Sequence, residues 1–265
     1  MHATRLPLLG FDSLAAARLG AARLAAACVV ALLSGCAGLF TAPLPDYAAI
    51  VAAPDRSDAD RQVDPRRKQP QLIAFTEARP GMRVLDMGAG GGYTTELLAR
   101  IVGPGGVVYA QNAAEVAAGR AGEAFNARAK KAVMKNVVHT LRPFDDPLPP
   151  EARDLDLITF FFAYHDTTFM KVDREQMNRR LFAALKPGGI LVVADHSAKA
   201  GAGVSVARSL HRIDERVMRR ELETAGFRLV SEAGFLRSPA DTREERVFNP
   251  RVPVDEFVLK FEKPR

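Results

Sequence analysis

The run Val84-Leu85-Asp86-Met87-Gly88-Ala89-Gly90-Gly91-Gly92-Tyr93 constrains the fold more than any other stretch of the chain. Its apolar start, within MRVLDM at 82–87, reads as a buried strand, and YTTELLARI at 93–101 has helical spacing. The turn between them is almost all glycine. Glycines at such a junction permit positive φ and let backbone amides come close to a ligand.

The same alternation continues along the chain. GVVYAQ at 106–111 is the next strand, followed by an Ala-rich helix over 113–133 and a third strand, NVVHTL, at 136–141. DLDLITFFFA at 154–163 is continuously apolar, as expected of a strand covered on both faces. DREQMNRRLFAAL at 173–185 is a helix ended by KPGG, and ILVVADH at 190–196 is strand five. DERVMRRELETAG at 214–226 is a helix with a glycine stop, and FRLVSEAG and EFVLKFE close the chain as strands. Strand–helix alternation of this kind predicts an α/β fold: a parallel sheet with right-handed crossovers and helices on both faces. No internal repeat is present, so a single domain over 56–265 is the economical reading.

A dinucleotide fingerprint, G-x-G-x-x-G counted from Gly88, would need glycine at 93, where Tyr93 stands. The observed pattern is D-x-G-x-G-x-G, from Asp86 through Gly88 and Gly90 to Gly92. It resembles motif I of class I S-adenosylmethionine (SAM)-dependent methyltransferases, and LKPGGILVVAD at 185–195 is similar to their strand-five signature. The resemblance covers about 70–265. It implies a Rossmann-like seven-stranded sheet, mostly parallel with one antiparallel strand, and SAM lying across the carboxyl edge. By the same resemblance, the glycine loop hugs the methionine part of SAM, and Asp86 helps hold it directly or through water. The family ends strand two with an acid that accepts both ribose hydroxyls; Asn112 stands there, after Gln111, and offers an uncharged acceptor. Asp145 or Asp146, in RPFDDPL, falls where the family contacts the adenine amine; a solvated turn is the alternative. The segments PDRSDADRQVDPRR and LRSPADTREERVFNP further resemble an uncharacterised bacterial group known only as predicted methyltransferases.

Two ionisable clusters fall at strand ends: Tyr164, His165 and Asp166 after strand four, and Asp195, His196 and Ser197 after strand five. Ligands of open α/β sheets bind outside those ends. A neutral histidine suits general-base work, so His165 or His196 is the expected base, with Asp166 orienting or anchoring. His211 and Asp214 follow the 197–209 loop, whose GAG could serve as a lid hinge. His165, Asp166, Asp195 and His196 offer mixed donors for a divalent metal, but no helical H-x-x-x-H spacing supports one and none is expected. Phe160, Phe161 and Phe162 are read mainly as strand core. The D-P-P-Y or N-P-P-Y motif of many amino-group methyltransferases is absent, which argues mildly against nucleic-acid bases as acceptors.

The amino-terminal stretch reads differently. Arg5, Arg18 and Arg23 precede the ten-residue apolar run LAAACVVALL at 24–33, too short to span a bilayer. Leu33-Ser34-Gly35-Cys36 then resembles a bacterial lipobox, which implies a signal peptide over 1–36, lipidation at Cys36 and a proline-bearing tether over 37–55. Export to the periplasmic face of the outer membrane follows as an expectation; cytoplasmic residence is the alternative if the leader is not a signal. Outside 1–36 the chain has no cysteine and a net charge of +4, spread along its length, so no nucleic-acid stripe is expected. The resemblance implies a SAM-dependent methyltransferase, and a small molecule is the expected acceptor. The competing expectations are a non-catalytic ligand-binding lipoprotein on the same fold and, disfavoured by Tyr93 and Asn112, an NAD-linked oxidoreductase. The sequence does not give the oligomeric state.

Overall fold

The computed structural model describes His2 and residues 44–265. Cys36, the rest of the leader apart from His2, and the tether up to 43 lie outside the described residues. Three helices come first: α1 Tyr47–Val51, α2 Asp58–Arg67 and α3 Gln69–Phe75. They are followed by β1 Arg83–Met87, α4 Tyr93–Val102, β2 Val107–Asn112, α5 Ala114–Ala117 and α6 Arg120–Arg128. After a 3-10 turn at Ala132–Met134 come β3 Val137–Leu141, β4 Leu155–Phe161, α7 Tyr164–Thr167 and α8 Arg174–Ala184. The chain continues through β5 Leu185–His196, α9 Ala207–Leu210, α10 Glu215–Thr224, β6 Arg228–Ala233 and β7 Glu256–Glu262.

The seven strands form one sheet in the order β3-β2-β1-β4-β5-β7-β6. The first five are mutually parallel, and β7 runs antiparallel to both β5 and β6. This is the expected architecture. Chain order reverses between β1 and β4, so the loops leaving those strands diverge and open a crevice at their carboxyl ends. Both faces of the sheet are covered. Leu85, Met87, Ile158, Phe160, Leu191 and Val193 enter one core layer, while Val84, Leu157, Val192 and Val258 enter the other. Alternate residues of one strand therefore serve two cores, which is why these strands are apolar throughout.

Two boundaries differ from the sequence expectation. The helix expected over 113–133 is broken: Gly119 is extended, separating α5 from α6. The break folds α6 back against the end of α5, where only glycine fits at 122: a Cβ there would lie 1.8 Å from the Ala117 carbonyl oxygen. The KPGG stretch, expected to end a helix, instead belongs to β5. The pairing jumps from Leu155↔Leu185 to Leu157↔Ile190, so the extra residues are absorbed in a bulge.

Part of the expected tether is also structured. Asp46 caps α1 by accepting from the Ala49 N–H at 2.9 Å, and the buried Tyr47 donates its hydroxyl to the Ala78 carbonyl at 2.9 Å. From Asp46 onward this stretch is a packed element rather than a linker, because Tyr47 and Val51 enter the core beside Leu72 and Ile73. No described helix is long and apolar enough to cross a membrane.

Replacing Gly122 by Ala is expected to destabilise the fold by about 1–3 kcal/mol through overpacking. A urea titration checks this: the midpoint should fall with the slope unchanged.

Candidate functional site

The carboxyl end of β1 builds the first half of the site. Asp86 lies opposite Thr159 in the β1–β4 register. Thr159 Oγ1 donates to its Oδ1 at 2.9 Å, and Thr95 Oγ1 from α4 donates to Oδ2 at 2.6 Å. Burial dominates this carboxyl and raises its pKa to about 6, against the two threonine hydrogen bonds and the nearby Arg67, which lower it. Asp86 thus ties β1 to β4 and α4 and shapes the loop from inside.

In the loop itself Gly88, Gly90 and Gly92 all have positive φ, at 66°, 55° and 80°. Gly88 and Gly92 are tightly packed: a Cβ would meet Ala163 at 3.1 Å in the first case and Phe125 and Arg128 at 3.0 Å in the second. Gly90 faces open space, with nothing nearer to an added Cβ than the Gly88 carbonyl at 4.0 Å. It is therefore the point at which a ligand can approach the loop backbone.

The end of β2 closes on this loop. Asn112 Oδ1 accepts from the Gly90 N–H at 2.7 Å, and its Nδ2 donates to the Gly90 carbonyl at 3.0 Å. Gln111 does the same one residue earlier, accepting from the Gly88 N–H at 3.0 Å and donating to the Arg142 carbonyl at 2.7 Å. Asn112, expected to face ribose hydroxyls, is here a latch on the glycine loop. The physical reason is that an amide matches both the donor and the acceptor of a peptide group, whereas a carboxylate matches only the donor. His139 Nε2 lies 3.1 Å from Asn112 Nδ2, and burial lowers the pKa of that ring. Neutral, it can accept from the amide.

Asp145 is half-buried and turned toward the start of α8, where its Oδ2 accepts from the Asp173 N–H at 3.4 Å. Asp146 pairs with Arg142. Between these loops Phe144 is buried within reach of Gly88, a contact that sequence reasoning did not single out.

The second half of the site stands on β4 and β5. Asp195 is fully buried and accepts from the backbone N–H groups of both His165 and His196, each at 2.8 Å. Its Oδ1 also meets His165 Nδ1 at 2.7 Å. Burial works against a charged His165 ring, but Asp195 and Asp166 outweigh it and raise its pKa to about 10. The neutral base expected at His165 is therefore not what this environment favours; two carboxylates hold a positive charge there. Burial likewise opposes the Asp195 charge, and His165 overcomes it, holding that carboxyl below its usual range.

His196 has a different setting. Its ring stacks on Phe162 at 5.2 Å between centroids, and its Nδ1 lies 2.9 Å from Glu256 Oε1. That approach is off the hydrogen-bond axis, so Nδ1 makes a close contact without an aligned bond.

Tyr164 points away from the site: its hydroxyl donates to Glu221 at 2.7 Å and accepts from Asn178 at 2.8 Å. Asp214 caps α10 and accepts from the Gly201 N–H at 2.7 Å, tying down the GAG turn; its hydrogen bonds, Arg216 first, lower its pKa to about 2. Phe160 and Phe161 are core, as expected, whereas Phe162 sits in the site at φ 58°. A bulky residue at positive φ is strained backbone, and such strain concentrates at functional sites.

The methyltransferase-domain family matches residues 59–232. The chain belongs to this family. A ubiquinone/menaquinone biosynthesis C-methyltransferase of Vibrio vulnificus is 34% identical over 127 residues, 47% of this chain and 45% of that protein. The chain thus matches about half the length of that relative. A protein of the same name from Shewanella sp. is 28% identical over 191 residues, 71% of this chain and 66% of that protein. Among solved structures, a SAM-dependent methyltransferase from Aquifex aeolicus superposes with a TM-score of 0.55 at 20% identity, covering 83% of this chain and 99% of that one. The [4+2]-cyclase SpnF superposes equally well, with a TM-score of 0.55 at 18% identity, covering 78% and 82%. At such identities the likeness is one of fold, and it extends to proteins of different chemistry.

Sequence reasoning on this methyltransferase domain missed its amino-terminal strap. Arg67, in the last turn of α2, places its guanidinium 4.9 Å from the Tyr93 ring centre and 4.8 Å from that of Phe162. Its Nε has no hydrogen-bond partner, and burial lowers its pKa. The strap is anchored by ion pairs: Asp60 with Arg128 at 2.7 Å, and fully buried Glu96 with Arg128, Lys131 and Arg100. Arg128 Nε also donates to the Gly91 carbonyl at 2.9 Å. The motif PDRSDADRQVDPRR carries these residues, but their partners lie far along the chain, which no local pattern reveals.

The raised pKa of Asp86 has a measurable consequence. Between pH 3.8 and about 6 the folded state binds more protons at this carboxyl than the unfolded state, so stability falls as pH rises through that window. Asp86→Asn removes the contribution. The stability difference between wild type and variant is expected to change by roughly 3 kcal/mol across the window and to be flat outside it. Urea unfolding at a series of pH values measures it, and a flat difference throughout would show that Asp86 is not desolvated.

Proposed function

We propose that this protein transfers a methyl group from SAM to a small-molecule acceptor. The observation that carries the reading is the loop after β1. Three glycines at positive φ lie beside buried Asp86, with Gly90 open to a ligand, inside a domain that matches the methyltransferase family. A non-catalytic binding role on the same fold is not favoured, since it gives no reason for the ordered polar groups at the β4 and β5 ends.

The residues at the sheet edge fit the cofactor in kind. The Gly88–Gly92 loop would hold its methionyl portion, with Asp86 acting from beneath through the loop's shape. Arg67, a half-buried cation with an unpartnered Nε, is suited to the cofactor's carboxylate. Asn112 Oδ1 holds the Gly90 N–H and keeps a second lone pair that can accept a ribose hydroxyl. When bound, the cofactor supplies an electrophilic methyl group. The chain's part is to align the acceptor, exclude water and take a proton where the acceptor is a hydroxyl or amine. His196 is the candidate for that proton, because His165 is committed to Asp195 and Asp166. Glu256 beside Nδ1 stabilises the imidazolium as it forms. The curated relatives are named as C-methyltransferases of quinone biosynthesis, which makes an aromatic ring carbon the alternative acceptor; a proton then leaves the carbon instead.

Calorimetric titration with SAM and with S-adenosylhomocysteine tests the reading. Micromolar binding is expected, and no binding of either would overturn it. Arg67→Ala should weaken both at least about tenfold while leaving 5′-methylthioadenosine, which lacks the carboxylate, unaffected; a charged hydrogen bond is worth about 1.5–3 kcal/mol.

Export and lipid anchoring at Cys36 belong to the same proposal, supported by the Arg5–Arg23 region, the apolar run and Leu33-Ser34-Gly35-Cys36. Mass spectrometry of the mature amino terminus should find an acylated Cys36. Cys36→Ser should lose the acyl mass and leave the membrane fraction, whereas unchanged fractionation would remove the anchor.

A further inference from the structure

Three side chains at the carboxyl edge meet at one point to which the proposed function assigns no role. His165 Nε2 lies 3.1 Å from Asp166 Oδ1 and 3.2 Å from His211 Nδ1, and His211 Nδ1 lies 3.3 Å from Asp166 Oδ1. The three donor atoms form a nearly equilateral triangle. Donors bound to one first-row metal at about 2.1 Å stand about 3.0 Å apart at right angles and about 3.4 Å apart at tetrahedral angles. The observed edges fall between these limits.

Two further observations support a metal rather than a chance meeting of polar groups. First, His165 has the outer-sphere partner that metal-bound histidines require. Its Nδ1 faces fully buried Asp195 at 2.7 Å, which fixes the ring and directs Nε2 at the triangle. Second, His211 is held at φ 54°, a conformation that costs a non-glycine residue energy, and this backbone is what brings its Nδ1 to the other two donors. Phe169 and Phe248 pack edge-on against the His211 ring, at 6.0 and 4.8 Å between centroids, and hold its orientation. Among the described residues no other three His, Cys, Asp or Glu side chains converge in this way.

We propose that His165, Asp166 and His211 bind one divalent transition-metal ion. Two imidazoles and one carboxylate favour zinc, iron(II), cobalt or manganese over magnesium or calcium, which prefer oxygen alone. The ion takes the place of the proton on His165 Nε2, which passes to solvent. Three protein donors leave coordination positions for water or for an oxygen atom of the acceptor, whose proton a bound metal makes easier to remove. The proposal departs from the sequence expectation of no metal, because His211 lies 45 residues beyond Asp166, out of reach of any spacing rule. The inference stands on the donor geometry and does not depend on the methyl-transfer reading.

The test is a Co²⁺ titration of the chelator-treated full chain, followed by visible absorption and by elemental analysis after desalting. One equivalent per chain is expected, with ligand-field bands that Zn²⁺ abolishes. His211→Ala and Asp166→Asn, both at partly exposed positions, should each keep the wild-type circular dichroism and weaken Co²⁺ binding at least about 100-fold, beyond the usual effect of an outer-sphere change. Absence of stoichiometric uptake by the wild type overturns the proposal, and so does undiminished binding in either variant. SAM titration of the same samples is a separate measurement, so failure of one reading is distinguishable from failure of the other.

Discussion

One buried carboxylate organises the catalytic edge. Asp195 has no solvent contact, and a charge in that position is tolerated because three donors answer it. Two of its partners are backbone N–H groups, those of His165 and His196, and the third is the His165 ring. The carboxylate therefore fixes where α7 begins, how β5 ends and which way a histidine faces. Removing it would leave two unpaired peptide donors and a buried imidazolium, a larger loss than one hydrogen bond. Phe162, whose N–H donates to the Ala194 carbonyl at 2.7 Å, is locked into its strained turn by the same junction.

The glycine loop depends on a second set of contacts, made from outside the sheet. Glu96 is fully buried on α4 and receives Arg100, Arg128 and Lys131, while Arg128 also reaches Asp60 on α2. Buried ion pairs of this kind contribute little net stability compared with apolar packing, but breaking one side is costly. Their effect is to fix geometry. They hold α2 over the loop, and so they place Arg67 between Tyr93 and Phe162.

The sheet was legible because its central strands are buried on both faces and the turn after β1 is built of glycine, signals that are local in sequence. Asp86, the glycines and the strand-end clusters were legible for the same reason. What they contact was not. Thr159 answers Asp86 through strand register, and Arg67 arrives from PDRSDADRQVDPRR, a segment with no place in the site as read from sequence. His165 was legible as a strand-end histidine but not as a cation, because its charge comes from Asp195, thirty residues away. The helix expected over 113–133 is interrupted at Gly119 and again after Arg128, and the close approach that Gly122 permits is steric and has no periodic signature.

The amide at 112 couples a strand end to the loop. Its oxygen and nitrogen both bond one peptide group at Gly90, so the end of β2 and the glycine loop behave as one piece. The second N–H faces His139 Nε2 at 3.1 Å, and the oxygen keeps a second acceptor direction. Position 112 can therefore brace the loop and still offer a bond outward. A carboxylate there would accept from the Gly90 N–H but repel the Gly90 carbonyl, so bracing and offering would be in conflict.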